Sequence, residues 1–341
     1  MSMLRALVGT LRSARHAPRL AAALVPDDAV LLDAPDERLA PALVAAALGD
    51  PEPAAKLLAT TRDAGEWEDR DRYVTRLATF AYNRGDWLTR WVSAASRDPD
   101  ALLVTAQLAV RRAWESPARA ERLRELAPLV QEIAGEAPHD PVPWRLALDH
   151  ARGTHAGPGV FESLWEQAVR RSPHHYGCHV AALKYLSAQW YGSHRAAFDF
   201  AEQAADDAAP GSLVGALPVR AAYDVLRAPT GPDRFVPIAR VDRAVARALA
   251  LSAAFPAGDP WPAEVRNLLA YVLVERARWE EAWGEFGRIG PYATSFPWGA
   301  ARGAAPADPL LRFLAARDRV RGELARRTPL GPVRRTGVGH R

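Results

Sequence analysis

Apolar residues recur at three- and four-residue intervals over most of this chain, interrupted by turns rich in proline and glycine. Val160, Phe161, Leu164, Trp165, Ala168 and Val169 form one such stripe, the spacing of one face of an α-helix. Ser172-Pro173 stops it, because proline disfavours the helical region for the residue before it. Tyr176, Val180, Leu183, Leu186 and Trp190 make the next stripe. Gly192 permits a turn, and Ser193 predicts a hydroxyl cap for the helix that follows. Ala197, Phe198, Ala201, Ala204 and Ala205 carry that helix, and Pro210-Gly211-Ser212 repeats the stop and cap before Leu213, Val214, Leu217, Ala221, Val225 and Leu226. The same reading predicts helices over 37–48, 67–82, 102–114, 117–133, 143–151, 260–276 and 309–326. Val30-Leu31-Leu32 could form a very short strand, but the flanking proline, aspartates and charges favour a loop there.

Each of these helices is amphipathic and cannot bury its apolar face alone, and stacking on neighbours is the economical solution. The turn prolines Pro99, Pro138, Pro173 and Pro210 lie 39, 35 and 37 residues apart, the length of a two-helix unit. The expected fold is therefore all-α: an α-solenoid of stacked antiparallel helix pairs. Four segments follow from the breaks in the rhythm. Residues 1–98 form an N-terminal helical segment, 99–226 the regular helix pairs, 227–327 the C-terminal helix pairs after a Pro-rich loop, and 328–341 a basic disordered tail. Leu4, Leu7, Val8 and Leu11 predict a first helix, with a membrane-touching basic helix as the alternative.

Composition narrows the picture without naming a reaction. At 49% hydrophobic and 25% charged the 341 residues suit a globular protein. The excess of Arg, with Lys56 and Lys184 the only lysines, matches the codon usage of a GC-rich bacterium. The net charge of +4 is thus weak evidence for nucleic acid. A single cysteine, Cys178, excludes an internal disulfide and a Cys-based zinc ribbon and fits a reducing cytoplasm. No run approaches a membrane span.

Three groups of residues are candidate chemistry. His175, Cys178 and His179 lie about one helical turn apart with the nitrogen and sulfur donors that suit zinc. The competing reading puts His174 and His175 in a surface turn and Cys178 in the core, and no cofactor is then expected. Trp190, Ser193 and His194 offer an aromatic face, a hydroxyl and a cation at a helix start, where a cation opposes the dipole. Alternatively Trp190 fills the hairpin and Ser193 caps. Tyr292, Phe296 and Trp298 lie in an aromatic loop that either grips a partner or folds back over the end of the array. The alternating charges from Glu66 to Arg72 predict a solvated, salt-bridged helix face. Neither a Gly-x-Ser-x-Gly nor a phosphate-loop motif is present, and no catalytic residue is assigned.

Asn267 to Pro291 resembles a tetratricopeptide repeat through Leu269, Ala270, Leu273, Trp279, Glu281, Ala282, Phe286 and the closing Pro291. Gln189-Trp190-Tyr191-Gly192-Ser193, with Phe198, Ala201 and Pro210-Gly211-Ser212, looks like a bacterial family of tetratricopeptide-like proteins with a Trp-x-Gly-Ser turn between two helices. The resemblance covers about the middle third and implies fold, not activity. The expectation is a non-enzymatic scaffold for a protein or peptide partner, its oligomeric state open. A metal-dependent enzyme or sensor at His175, Cys178 and His179 is one alternative. Arg-rich ends binding nucleic acid or an anionic membrane are the other, disfavoured by the mixed signs of the central chain.

Overall fold

The structure, a computed structural model, describes residues 24–228, 236–299 and 308–327. The expected first helix, the Pro-rich loop over 229–235 and the basic tail lie outside the described residues. Within them 73% of the residues are helical and almost none are in strands, as the apolar periodicity predicts. Two compact units form, residues 35–247 and the residues up to 34 together with those from 248 onward. The boundaries after residues 98 and 226 both fall inside the first of these.

The unit of residues 35–247 is built from α1 (Leu39–Ala47), α2 (Glu52–Ala64), α3 (Trp67–Asn83), α4 (Asp86–Ala94), α5 (Pro99–Glu115), α6 (Arg119–Glu125), α7 (Ala127–Gly135), α8 (Val142–Gly153), α9 (Pro158–Arg171), α10 (Tyr176–Tyr185), α11 (His194–Asp206) and α12 (Leu217–Arg227). The unit boundary falls within α13 (Ile238–Ala253). Short polar side chains start several of these helices. Asp98 accepts from the amides of Asp100 at 2.8 Å and Ala101 at 3.3 Å, with Pro99 as the first helical residue. Ser193 accepts from Ala196 N at 3.0 Å, and Ser212 accepts from Val214 N at 3.2 Å at the start of the 3-10 turn Leu213–Ala216 that leads into α12. Both are the caps expected from the turns, and each such cap contributes about 1 kcal/mol.

Helices in this unit pack on their neighbours in sequence, and some also pack on a helix two or three further on. Thus α3 meets α5, α5 meets α8, α8 meets α10 and α10 meets α12. The apolar core runs between them through Leu58, Tyr73, Leu77, Trp87, Leu103 and Leu146, then Leu148, Phe161, Cys178 and Tyr185, then Leu183, Phe198, Val214 and Leu217. Complete burial of one such Leu or Phe contributes about 1.5–3 kcal/mol. The row also turns back on itself, because α3 touches both α8 and α10.

That contact corrects the expectation for Glu66 to Arg72. This run does not form a solvated face: Arg70 is 1% exposed and Glu68 and Asp71 are half-buried. Charge alternation along α3 reports ion pairing, but most partners come from other segments: Asp36 and Arg38 before α1, Asp100 of α5, Asp140 in the turn before α8, Arg145 of α8 and the Tyr176 amide of α10.

The other unit contains β1 (Leu31–Leu32), α14 (Ala263–Glu275), α15 (Trp279–Ile289), β2 (Tyr292–Ala293), the single turn α16 (Ser295–Trp298) and α17 (Pro309–Arg327). Contrary to the loop expected at Val30 to Leu32, β1 pairs in parallel with β2, Leu31 opposite Tyr292. Leu31 N donates to Pro291 O and Asp33 N to Ala293 O, each at 2.8 Å. Asp33 then accepts from both the amide and the hydroxyl of Ser295. A two-residue strand whose partner lies some 260 positions away leaves no local signature.

Candidate functional site

The polar residues of the 35–247 unit sort into two classes by their surroundings. One class is structural. Arg70, at the centre, pairs with Asp100 at 2.6 Å and donates to Asp140 at 2.6 Å and to Leu58 O at 2.9 Å. Asp140 also caps α8 by accepting from Val142 N at 2.8 Å. All three charged side chains are buried.

The second class forms a continuous, partly exposed row across the sides of α3, α5, α8, α10 and α12. On α3 it comprises Glu68, Asp71, Thr75, Thr79 and Tyr82, the helical period again but polar. Arg145 of α8 reaches Asp71 at 2.7 Å and Gln107 of α5 at 2.7 Å. Arg111 of α5 donates to Thr79 Oγ1 at 2.6 Å and stacks over the Tyr82 ring. Tyr176 N, at the start of α10, donates to Glu68 at 2.6 Å, and Arg220 of α12 approaches the Tyr176 hydroxyl at 3.4 Å. Gly177 lets α10 come this close: a Cβ there would lie 2.1 Å from Asp71 Oδ2.

A sequence signal for this row exists outside the three candidate groups. Arg145-Leu-Ala-Leu-Asp149-His-Ala-Arg152 and Arg220-Ala-Ala-Tyr-Asp224-Val-Leu-Arg227 share an Arg-x-x-x-Asp-x-x-Arg pattern. Offsets of four and seven keep all three side chains on one helix face. The two copies occupy equivalent places on α8 and α12, with Lys184 of α10 acting electrostatically on both aspartates.

The environments of these carboxylates differ. Burial opposes the charge of Asp149, yet Lys184, Arg152 and Arg145 outweigh it and hold the group at about 2. Burial dominates at Glu68 and at Asp224 and raises both, against the pull of His175 on Glu68 and of Arg220, Lys184, His194 and Arg227 on Asp224. Two opposed pH effects result. A depressed carboxylate contributes stability above its unfolded value that is lost as pH falls through its folded value; a raised one gives the folded state extra protons, so stability rises as pH falls toward the ordinary carboxylate range. Asp149→Asn is therefore expected to lower stability by about 2 kcal/mol at pH 7. The difference from the parent should shrink between about pH 4 and pH 2 in urea titrations.

The expected metal residues lie beside this row. His175 is not in a surface turn but 1% exposed, and it caps α10 by accepting from Cys178 N at 3.2 Å on Nδ1. Its Nε2 faces Trp67 O at 3.4 Å and Asp71 at 3.9 Å. His179 Nδ1 donates to His175 O at 2.9 Å, and its ring packs edge-on to Trp165. Cys178 is buried, as the competing reading has it, and burial with Asp71 nearby pushes its thiol well above the usual range. Among the described residues no three His, Cys, Asp or Glu side chains converge as metal ligands.

Trp190 closes the row at its α8 end. It meets Trp114 edge-on at 5.6 Å and the His155 ring at 5.3 Å. Arg152 lies 4.2 Å from the Trp114 ring and 5.0 Å from the Trp190 ring while bonding Asp149 at 3.0 Å. Arg119 flanks the same rings at 5.0 and 5.7 Å. Ser193 is exposed and serves as the cap; His194 is half-buried, within reach of the Asp224 charge.

In the other unit, Trp298 is 3% exposed and packs on Tyr271, Phe286 and Phe313, its indole N–H donating to Asn267 Oδ1 at 2.9 Å. Tyr292 and Phe296 are half-buried. A gripping role for Trp298 would require this cluster to open, since an indole buried on this scale presents no surface. No described helix is long and apolar enough to cross a membrane. Compared with protein-family models, curated proteins and solved structures, the chain matches none of them.

Proposed function

We propose that the chain is a non-enzymatic, tetratricopeptide-like helical-repeat scaffold that holds a peptide segment of a partner protein against the polar sides of α3, α5, α8, α10 and α12. The observation that carries this reading is the row itself. A helix needs one apolar stripe to fold against its neighbours; these five carry a second, polar stripe, with buried Arg145 and Arg220 beside half-buried carboxylates, at a cost in desolvation. An extended segment laid across successive helices meets a fixed series of donors and acceptors, which is how stacked repeats read peptides. The assignment of peptide binding from this architecture is an analogy of fold. Specificity from mixed charges follows from complementarity more than from raw affinity.

Selection of displayed random peptides on the immobilised full chain tests the proposal. Enriched peptides are expected to carry charges of both signs and to lose binding to Thr75→Arg. Thr75 is exposed and one turn from Asp71, so this variant should fold normally while obstructing the row. Selection that enriches nothing, or peptides that bind Thr75→Arg as well as the parent, would contradict it.

A further inference from the structure

We propose that the Trp114–Trp190 corner of the 35–247 unit is a carboxylate-recognition site, in which Arg119 and His155 receive an acidic group of the bound peptide; this rests on the peptide-binding reading above. Three observations point there. First, Arg119 is half-buried over two indole rings, yet among the described residues no acceptor lies within hydrogen-bond distance of its guanidinium and no carboxylate within ion-pair distance. Arg152, on the same rings, differs in being bonded to Asp149. A guanidinium fixed by stacking, with its planar fork unspent, is preorganised for bidentate recognition of a carboxylate.

Second, His155 is exposed and adopts a left-handed conformation, φ +58°, which a non-glycine residue adopts at some cost in strain. The Tyr191 hydroxyl donates to His155 O at 2.6 Å and holds that backbone in place. The imidazole is thereby set against Trp190, and no described residue hydrogen-bonds either ring nitrogen. Third, the corner is continuous with the polar row through Arg152, so one peptide can occupy both. The two indole rings beneath Arg119 and Arg152 exclude water from one side and strengthen the charge–charge contact.

The test is an array of random octapeptides in three forms: parent sequence, all Glu and Asp replaced by Gln and Asn, and C-terminal amide. The full chain and its Arg119→Gln and His155→Gly variants are applied to each. Peptides that bind the full chain should lose roughly tenfold in affinity when the relevant carboxylate is neutralised. Side-chain replacement and amidation separate an internal acidic residue from a free C-terminus. Arg119→Gln should abolish the difference between charged and neutral forms, and His155→Gly, which relieves the backbone strain, should weaken it. Binding indifferent to carboxylate neutralisation, or an unchanged preference in Arg119→Gln, would overturn the site and leave the scaffold reading standing. An array with no binders would overturn both.

Discussion

Arg70→Met is expected to destabilise the 35–247 unit by about 3–5 kcal/mol, the cost of leaving buried charges without their partner. Arg70 neutralises Asp100 and Asp140 at once, each at 2.6 Å. Asp100 is 2% and Asp140 5% exposed, so water cannot replace the lost guanidinium. Burial already raises Asp100, despite the pull of Arg70 and Arg62. Without Arg70 only Arg62 opposes that burial, so the Asp100 carboxyl should rise further, which makes the penalty smaller in acid than in base. Arg70→Met combined with Asp100→Asn and Asp140→Asn should recover most of the loss. The desolvated charges then disappear together, while the amide oxygen introduced at position 140 still accepts from Val142 N. Urea denaturation followed by tryptophan fluorescence and far-ultraviolet circular dichroism at several pH values measures all of this. An Arg70→Met variant within about 1 kcal/mol of the parent would mean that the ion cluster contributes little.

Arg266→Met is expected to cost a similar amount, about 3–5 kcal/mol, but in the other unit. Arg266 is fully buried and donates to Ser252 O at 2.8 Å, Phe255 O at 2.9 Å, Pro256 O at 2.9 Å and Arg288 O at 3.0 Å, as well as to Ser252 Oγ at 3.1 Å. These carbonyls belong to the C-terminal ends of α13 and α15 and the turn after α13, where a helix leaves its last acceptors unpaired. One side chain from α14 donates to all four, alongside the amides of Phe255, Asp259 and Gly258, and ties three helices together. Glu285, also fully buried and accepting from Ser252 Oγ at 2.7 Å, would keep its pair with Arg288 at 2.7 Å but lose the second positive charge of Arg266. Calorimetry should resolve an early transition for the residues around α14 to α17 while the 35–247 unit unfolds as in the parent. A single transition shifted as a whole would show that the two units unfold together.

The helices were legible because burying one face imposes a period, and the turns because proline, glycine, serine and aspartate act locally. Ser193 and Ser212 cap as their positions predict, and Pro309 opens a helix that runs to Arg327. What escaped was set by partners distant in sequence. Arg70 sits in a run that reads as solvated, and only the carboxylates 30 and 70 positions on make it interior. His175 reads as a surface residue or a ligand, yet it spends one nitrogen on capping its own helix. The strand at Leu31 and Leu32 exists only through its pairing with Tyr292 and Ala293. The polar row was half legible: the recurring Arg-x-x-x-Asp-x-x-Arg stands in plain sequence, but Glu68 and Asp71 join it only because α3 meets α8 and α10.

The most direct test of the scaffold account is site-specific photocrosslinking in the cells that make the protein. A photoreactive residue at Thr75, exposed on the polar side of α3, is compared with one at Glu166, exposed on α9. The account predicts a discrete adduct with a partner protein from position 75 and none from position 166. Adducts from position 166 alone, or the same adducts from both positions, would contradict it.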